Sequence, residues 1–290
     1  MFKEGIDLSS LAMQEKVCLV TGATAGIGEV TALALAQQGA TVVIVSRNQQ
    51  RCEDTAMRIR QESQNPAVDF LVADLSSQAD VRRVASQYQE RYNRLDVLVN
   101  NAGGFFSRRQ ESVDGIELTW ALNHLNYFLL THLLQDTLLA SAPARVINVS
   151  SNAHLGGQIN FDDLQAQLGY FGWRVYAQSK LANVLHAYEL ARRLDGSRVT
   201  VNALHPGFVA TRFAGNNGML YHLGLKVAHL FALTPEQGAR TSIYLASSEE
   251  VEGVTGKYYV DEKPASSSPV SYDEQVARQL WEVSAEMVGL

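Results

Sequence analysis

Cysteine is nearly missing from this chain. Two occur in 290 residues, Cys18 in an apolar strand-like run and Cys52 in a helix-like one, and neither has a metal-ligand spacing. That excludes a disulfide framework and a cysteine-based metal site, and it fits a reducing, cytoplasmic setting. Proline is scarce too, 6 residues against 21 glycines, which excludes a Pro-rich or fibrous chain. No block of Lys or Arg appears, and a formal net charge of −6 with a pI near 5.7 excludes the basic footprint of a nucleic-acid binder. The opening stretch, Met1 to Met13, has neither a long apolar core nor a small-residue cleavage site, so no signal peptide and no membrane anchor is expected. What remains is 46% hydrophobic and 19% charged, a balance that supports a packed soluble core and argues against disorder.

The hydrophobic pattern alternates between two periods. Short apolar runs at Lys16 to Val20, Thr41 to Ser46, Ala67 to Val72, Leu95 to Asn100, Arg145 to Val149, Arg198 to Leu204 and Gly256 to Val260 read as strands. Helical stretches separate them: Ile27 to Gln38, Gln49 to Gln61, Val81 to Tyr92, a long one from Gly115 to Leu139, Tyr176 to Leu194, and Thr234 to Ala246 opened by a Thr-Pro cap. Continuous apolar strands alternating with helices predict an α/β fold of the Rossmann type, a doubly wound parallel sheet of about seven strands with helices on both faces. No linker divides the pattern. A single domain over 1–290 is expected, with 261–290 as a tail that is loose at Lys263 to Ser271 and helical from Tyr272 to Met287.

Two places carry chemistry. Thr21-Gly22-Ala-Thr-Ala-Gly26-Ile-Gly28 lies between the first strand and the first helix, where glycines let the backbone approach a pyrophosphate and the helix N-terminus offers amide donors. The second strand then ends in Ser46-Arg47. An acid there would accept from a free ribose 2′-hydroxyl, whereas an arginine pairs with a 2′-phosphate, so NADP(H) is expected. The second place is Tyr176-Ala-Gln-Ser-Lys180. Residues four apart share a helix face, which sets an ammonium near a phenol and favours the phenolate needed for proton exchange with a substrate oxygen. The same spacing also occurs on ordinary surface helices. Ser150 and Ser151 stand together at the end of the fifth strand, and side-chain alternation lets only one of them face a cleft.

The glycine spacing G-x-x-x-G-x-G, the stretch Asn100-Asn101-Ala102-Gly103 and the Tyr176/Lys180 pair occur in order from about residue 14 to 260. Together they resemble the short-chain dehydrogenase/reductase family. The stretches Asn123 to Thr131, Val146 to His154 and Ser179 to Leu185, with Leu280-Trp281 in the tail, resemble its branch of retinol dehydrogenases and NADP-dependent carbonyl reductases. The resemblance implies a catalytic set of Asn123, Ser151, Tyr176 and Lys180. In it Ser151 donates to the substrate carbonyl, Tyr176 transfers the proton, Lys180 lowers the phenol pKa and binds the nicotinamide ribose, and Asn123 holds a water linking Lys180 to solvent. It also implies cofactor contacts from Gly22, Thr24, Ala25, Gly26, Ile27 and Gly28, an adenine-contacting pair Asp74-Leu75, and contacts from Asn101, Ala102 and Gly103. The loop after the sixth strand, Pro206, Gly207, Phe208, Val209 and Thr211, would orient the carboxamide. For Asp74 an ordinary capping role, and for Asn101 a turn role, are the plainer readings. His154 is expected to line the loop or pocket.

The substrate side is left to Ala153 to Arg174 and Phe208 to Thr234. These carry Leu155, Phe161, Tyr170, Phe171, Trp173, Phe208, Phe213, Leu220, Tyr221 and Phe231, any of which could instead pack the fold. With Ser151, Tyr176 and Phe208 as substrate contacts, a small lipophilic aldehyde, ketone or alcohol is the expected partner. No nucleic acid and no metal are expected, and the oligomeric state, monomer or homo-oligomer, stays open. Two rivals stand beside this reading. A non-catalytic NADP-binding regulator would typically have lost Ser, Tyr or Lys. A light-dependent protochlorophyllide reductase would carry a cysteine near its active site, which has no counterpart here.

Overall fold

A computed structural model describes residues 12–209 and 233–290. The first strand, β1 (Val17–Thr21), shows why the sheet is covered twice: Val17 and Leu19 point into one core cluster, Cys18 and Val20 into the other. All five of its residues are buried. A strand buried on both faces reads as one apolar run rather than as an alternation.

From β1 the chain runs through α1 (Gly26–Gln37), β2 (Thr41–Ser46), α2 (Gln49–Ser63), β3 (Val68–Val72), α3 (Gln78–Arg91) and β4 (Val97–Asn100). A broken helical run follows, α4 (Leu118–Trp120), a π-turn at Ala121–Leu125, α5 (Asn126–Leu133) and α6 (Gln135–Ala140), leading to β5 (Ala144–Val149). Then come α7 (Gly172–Arg193), β6 (Val199–His205), α8 (Pro235–Ser247), β7 (Lys257–Val260), β8 (Lys263–Ala265) and α9 (Glu274–Val288). The sheet order is β3-β2-β1-β4-β5-β6-β7-β8, parallel through β7, with β8 antiparallel to β7. Strand order reverses between β1 and β4, the place where an open α/β sheet leaves a crevice at its carboxyl edge. Residues of α3, α5, α7 and α9 pack one face, and those of α1, α2 and α8 the other. One sheet therefore serves both cores, and the chain is a single α/β domain.

Three departures from the sequence reading have local causes. The segment expected to be loose forms β8, pairing Lys263 with Val260 and Ala265 with Tyr258. A proline at 264 argues against a central strand but is tolerated on an edge. The helix expected over 115–139 is interrupted, and Asn123 sits in its π-turn with its side chain bonded to the Gly104 backbone on both sides (Nδ2 to O 3.0 Å, N to Oδ1 2.8 Å). The helix carrying Tyr176 starts a turn earlier, at Gly172, whose missing side chain leaves room for the Phe106 carbonyl, which a Cβ would meet at 2.5 Å. The Thr-Pro cap holds as expected: Thr234 and Gln237 form a reciprocal capping box with Pro235 in the first turn of α8.

Candidate active site

The site is built where β1, β4, β5 and β6 end together. At the β1 end Gly22 turns the chain at φ +66°. Gly28 packs so tightly that a Cβ would lie 2.6 Å from the Gly22 carbonyl and run into the Asn101 amide. Thr21, which the sequence reading passed over, ties the turn to β4: its hydroxyl accepts from the backbone N–H groups of Asn101 (2.9 Å) and Ala102 (3.0 Å) and donates to Val99 O (3.2 Å). The Asn101 amide donates to Thr21 O at 2.8 Å, so this side chain buttresses the glycine turn, the turn role weighed above. A threonine directly before a glycine turn was the available signal. Thr24 and Ser46 hydroxyls pair at 3.0 Å across the β1 and β2 ends, and Arg47 beside them is exposed.

After β3 the Asp74 carboxylate accepts from the Ser76 N–H (3.0 Å) and hydroxyl (2.7 Å), a turn use in place of the expected cap, which Ser77 supplies to α3, while Leu75 is buried in the core. Any contact of this pair with a nucleotide falls to backbone atoms or to the remaining carboxylate oxygen. At β6 Pro206, Gly207 and Val209 are half-buried, Gly207 at φ +84°, and Phe208 is exposed. Thr211 lies outside the described residues, as do Phe213, Leu220, Tyr221 and Phe231.

The reactive side chains converge on α7. Tyr176 and Lys180 are both buried, one turn apart, with the Lys180 Nζ 5.7 Å from the centre of the Tyr176 ring. Nζ donates to Val149 O at 3.0 Å. The Ser151 side chain lies close enough to the Tyr176 phenol to lower its pKa, and the Tyr176 ring meets Phe105 edge-on at 6.0 Å and Trp173 at 5.9 Å. The two serines diverge: the Ser150 hydroxyl turns to donate to Lys180 O at 2.7 Å, leaving Ser151 beside Tyr176. Asn123 donates to Ser179 Oγ at 3.0 Å, and a Cβ on Gly103 would lie 3.1 Å from Asn123 Oδ1 and 3.5 Å from Lys180 Nζ. Gly103 is exposed and carries no side chain where Asn123 and Lys180 approach it, so its backbone lets a flat ring come close beside Lys180. Together with the glycine turn it fits a nicotinamide dinucleotide stretched across the strand ends.

Burial governs the electrostatics. It pushes the Tyr176 phenol well up, against the lowering effect of the Ser151 hydrogen bond, and pulls Lys180 from its ordinary 10.5 down to about 7. The expected depression of the phenol by Lys180 is not what dominates in this structure.

A covering segment completes the cleft. Tyr170 donates to Phe106 O (2.8 Å), Arg109 to Gln165 O (3.0 Å), and Gln178 bridges Asn160 N (2.9 Å) and Leu164 O (3.0 Å). Phe161 and Tyr170 therefore pack the fold, while Leu155, Phe171 and Trp173 stay exposed. Of the two places expected for His154, the loop holds: it lies buried in the short turn Asn152–Gly156 that follows β5. Among the described residues no group of His, Cys, Asp and Glu could hold a metal, and no helix is long and apolar enough to cross a membrane.

A nucleotide crevice at the strand-order reversal, with serine, tyrosine and lysine gathered at its end, defines a short-chain dehydrogenase/reductase: an oxidoreductase acting on CH–OH groups with NAD(P). The family model for short chain dehydrogenases matches residues 16–219, and the chain belongs to that family. Within it the chain falls in the retinol dehydrogenase-like branch. It is 44% identical to retinol dehydrogenase 14 of Homo sapiens over 298 residues, 96% of this chain and 88% of that one. It is 44% identical to human retinol dehydrogenase 13 over 289 residues, 97% of this chain and 87% of that one. Among solved structures, an uncharacterized protein from Mycobacterium Paratuberculosis superposes with a TM-score of 0.78 at 32% identity, covering 98% of both chains. The RhlG/NADP active-site complex of Pseudomonas aeruginosa does so at 0.69 and 32% identity, covering 86% of this chain and 95% of that one.

Proposed function

We propose that this protein is an NADP(H)-dependent oxidoreductase that interconverts a lipophilic aldehyde or ketone and its alcohol, with Tyr176 as general acid and base. The observation that carries the reading is the buried Tyr176 phenol set beside Ser151 and Lys180 at the end of the glycine-turn crevice. When bound, the dinucleotide supplies or accepts the hydride. The glycine turn from Gly22 to Gly28 and the α1 N-terminus take its pyrophosphate. Asp74, Leu75, Ala102 and the loop from Pro206 to Val209 border the adenine and carboxamide ends.

In the reducing direction Ser151 and Tyr176 both donate to the substrate oxygen, and Tyr176 gives up its proton as negative charge builds there. Lys180, held by Val149 O, faces the nicotinamide ribose. Asn123, fixed by Gly104 and Ser179, keeps the polar floor behind Lys180 in place.

Arg47, exposed at the end of β2 with Ser46 and Thr24 beside it and no acid in that position, supports a 2′-phosphate. The exposed Leu155, Phe171, Trp173 and Phe208 near the strand ends, and the names of the retinol dehydrogenase relatives, support a lipophilic substrate.

A carbonyl panel including retinal, an aromatic aldehyde and a sugar, run with NADPH and NADH, tests both parts. Loss of the charge-assisted contact in Arg47→Ala should raise the NADPH KM by roughly tenfold or more and leave that for NADH unchanged. Equal use of both dinucleotides, unchanged in that variant, refutes the NADP(H) assignment. Turnover of the sugar alone refutes the lipophilic one.

A further inference from the structure

One imidazole joins the active-site serine to the C-terminal segment. His154 Nδ1 lies 2.7 Å from Ser151 O, and its Nε2 lies 3.1 Å from the backbone nitrogen of Ser268. A carbonyl only accepts and a backbone N–H only donates. The ring must therefore carry its proton on Nδ1 and accept at Nε2, a single neutral tautomer. A second proton would point Nε2–H at the Ser268 N–H, and burial already lowers the His154 pKa.

Both ends of this link are held. On the serine side, Ser151 O also accepts from the His154 N–H at 3.0 Å, so one residue grips that carbonyl twice. The peptide plane so fixed leads to Ala153, whose N–H donates to Ser151 Oγ at 3.2 Å. Orientation of the carbonyl and orientation of the hydroxyl are thus coupled through two residues of backbone. On the far side, Ser268 O accepts from Ser271 Oγ (2.6 Å), which pairs with Ser267 Oγ (2.6 Å), and that hydroxyl pairs with Tyr188 of α7 (2.8 Å). The His154 ring also rests against Tyr258 of β7 at 4.7 Å, and the Tyr258 hydroxyl donates to Asn152 Oδ1 at 3.2 Å.

We propose that His154 is a positioning residue: it locks the Ser151 hydroxyl to the segment running from β8 to Ser271, so that the placement of the substrate oxygen depends on chain more than a hundred residues downstream. The role rests on the oxidoreductase reading above, in which Ser151 meets the substrate and His154 does not.

Three variants separate the two bonds. Asn at 154 keeps a donor near the Nδ1 position, Gln keeps an acceptor near the Nε2 position, and Leu keeps neither. Steady-state kinetics with NADPH and the best carbonyl of the panel, together with hydrogen exchange at the Ser268 amide, read them out. His154→Leu should lower kcat by roughly tenfold to a hundredfold, since a small misplacement of a reacting group has that effect, with the KM for NADPH within about twofold. His154→Asn should fall between Leu and the wild type in kcat and expose the Ser268 amide. His154→Gln should keep that amide protected and also fall short of wild-type kcat. If His154→Leu does not fold, the Asn and Gln variants decide. Wild-type kcat in His154→Leu, or in His154→Asn with the Ser268 amide released, overturns the coupling alone. A wild-type protein inert on every carbonyl overturns the oxidoreductase reading, and this role with it.

Discussion

Replacing Lys180 with methionine should make the protein more stable and catalytically inert. Lys180 is 3% exposed, and burial holds its pKa at about 7 rather than 10.5. At pH 7 the unfolded chain keeps the ammonium proton and the folded one keeps about half of it, a difference of about 4 kcal/mol against folding. Methionine, of similar length and apolar, removes that penalty. It also removes the hydrogen bond to Val149 O, but that carbonyl keeps longer contacts with the Tyr127 hydroxyl (3.4 Å) and the Asn183 amide (3.5 Å). The loss is then about 1–2 kcal/mol. The net gain, about 2–3 kcal/mol, corresponds to a Tm rise on the order of 5 °C for a chain of this size. The sign with pH follows from a depressed lysine pKa. The penalty is complete below the folded value near 7, shrinks as pH rises, and is gone above the unfolded value of 10.5. Urea and thermal unfolding of the dinucleotide-free proteins at pH 7, 8.5 and 10 should therefore show an advantage for Lys180→Met that fades to about zero by pH 10. A variant less stable than the wild type at pH 7, or a difference independent of pH, refutes the reasoning.

Tyr176→Phe retains the edge contact with Phe105 but loses the acid, so turnover should drop by about 10² to 10⁴, while NADPH binding followed by fluorescence stays intact; a fully active variant refutes the role. The serine pair gives an internal control. Ser151→Ala should lower kcat by about 10² to 10³ through loss of the donor to the substrate oxygen. Ser150→Ala, which loses only a bond to Lys180 O, should lower stability by about 1 kcal/mol and leave kcat within tenfold. The reverse ranking in kinetics and urea melts would assign the donor to Ser150.

Most of the architecture could be read from periodicity, because a strand buried on both faces must be continuously apolar and a helix between two such strands must carry a stripe. β1 and β2 were legible for that reason, and the start of α8 from its Thr-Pro cap. β8 was not: three residues with a proline carry no periodicity, and its pairing with β7 is a long-range event. The π-turn at Asn123 was invisible for a related reason, since the residues Ala121 to Leu125 look helical and the partner that Asn123 meets there, Gly104, lies in a separate loop. Within the site, motif spacing named Tyr176 and Lys180, and the family resemblance chose Ser151 over Ser150. Of the groups that hold the site, Val149 O and His154 act through backbone or across elements and left no spacing signal, whereas Thr21 stands directly before the glycine turn and Ser179 one turn from Tyr176.

The spacing of Tyr176 and Lys180 also illustrates a limit of sign. Four residues on a helix predict proximity, and proximity of an ammonium predicts a lowered phenol pKa. A full charge at about 6 Å and an effective dielectric of about 20 would contribute about 3 kcal/mol to that effect. Burial decides otherwise, because it acts on both groups at once: it raises the phenol and strips Lys180 of about half its charge near neutrality, which shrinks the very attraction that was to lower the phenol. As folded, the pair is therefore an acid that holds its proton beside a lysine whose charge is balanced on the edge. Such a pair suits the proposed reaction, in which negative charge develops on an oxygen placed against Ser151: the phenol would give its proton to that oxygen as the charge appears, and Lys180, on taking up a proton from solvent, would carry a full positive charge beside the phenolate left behind.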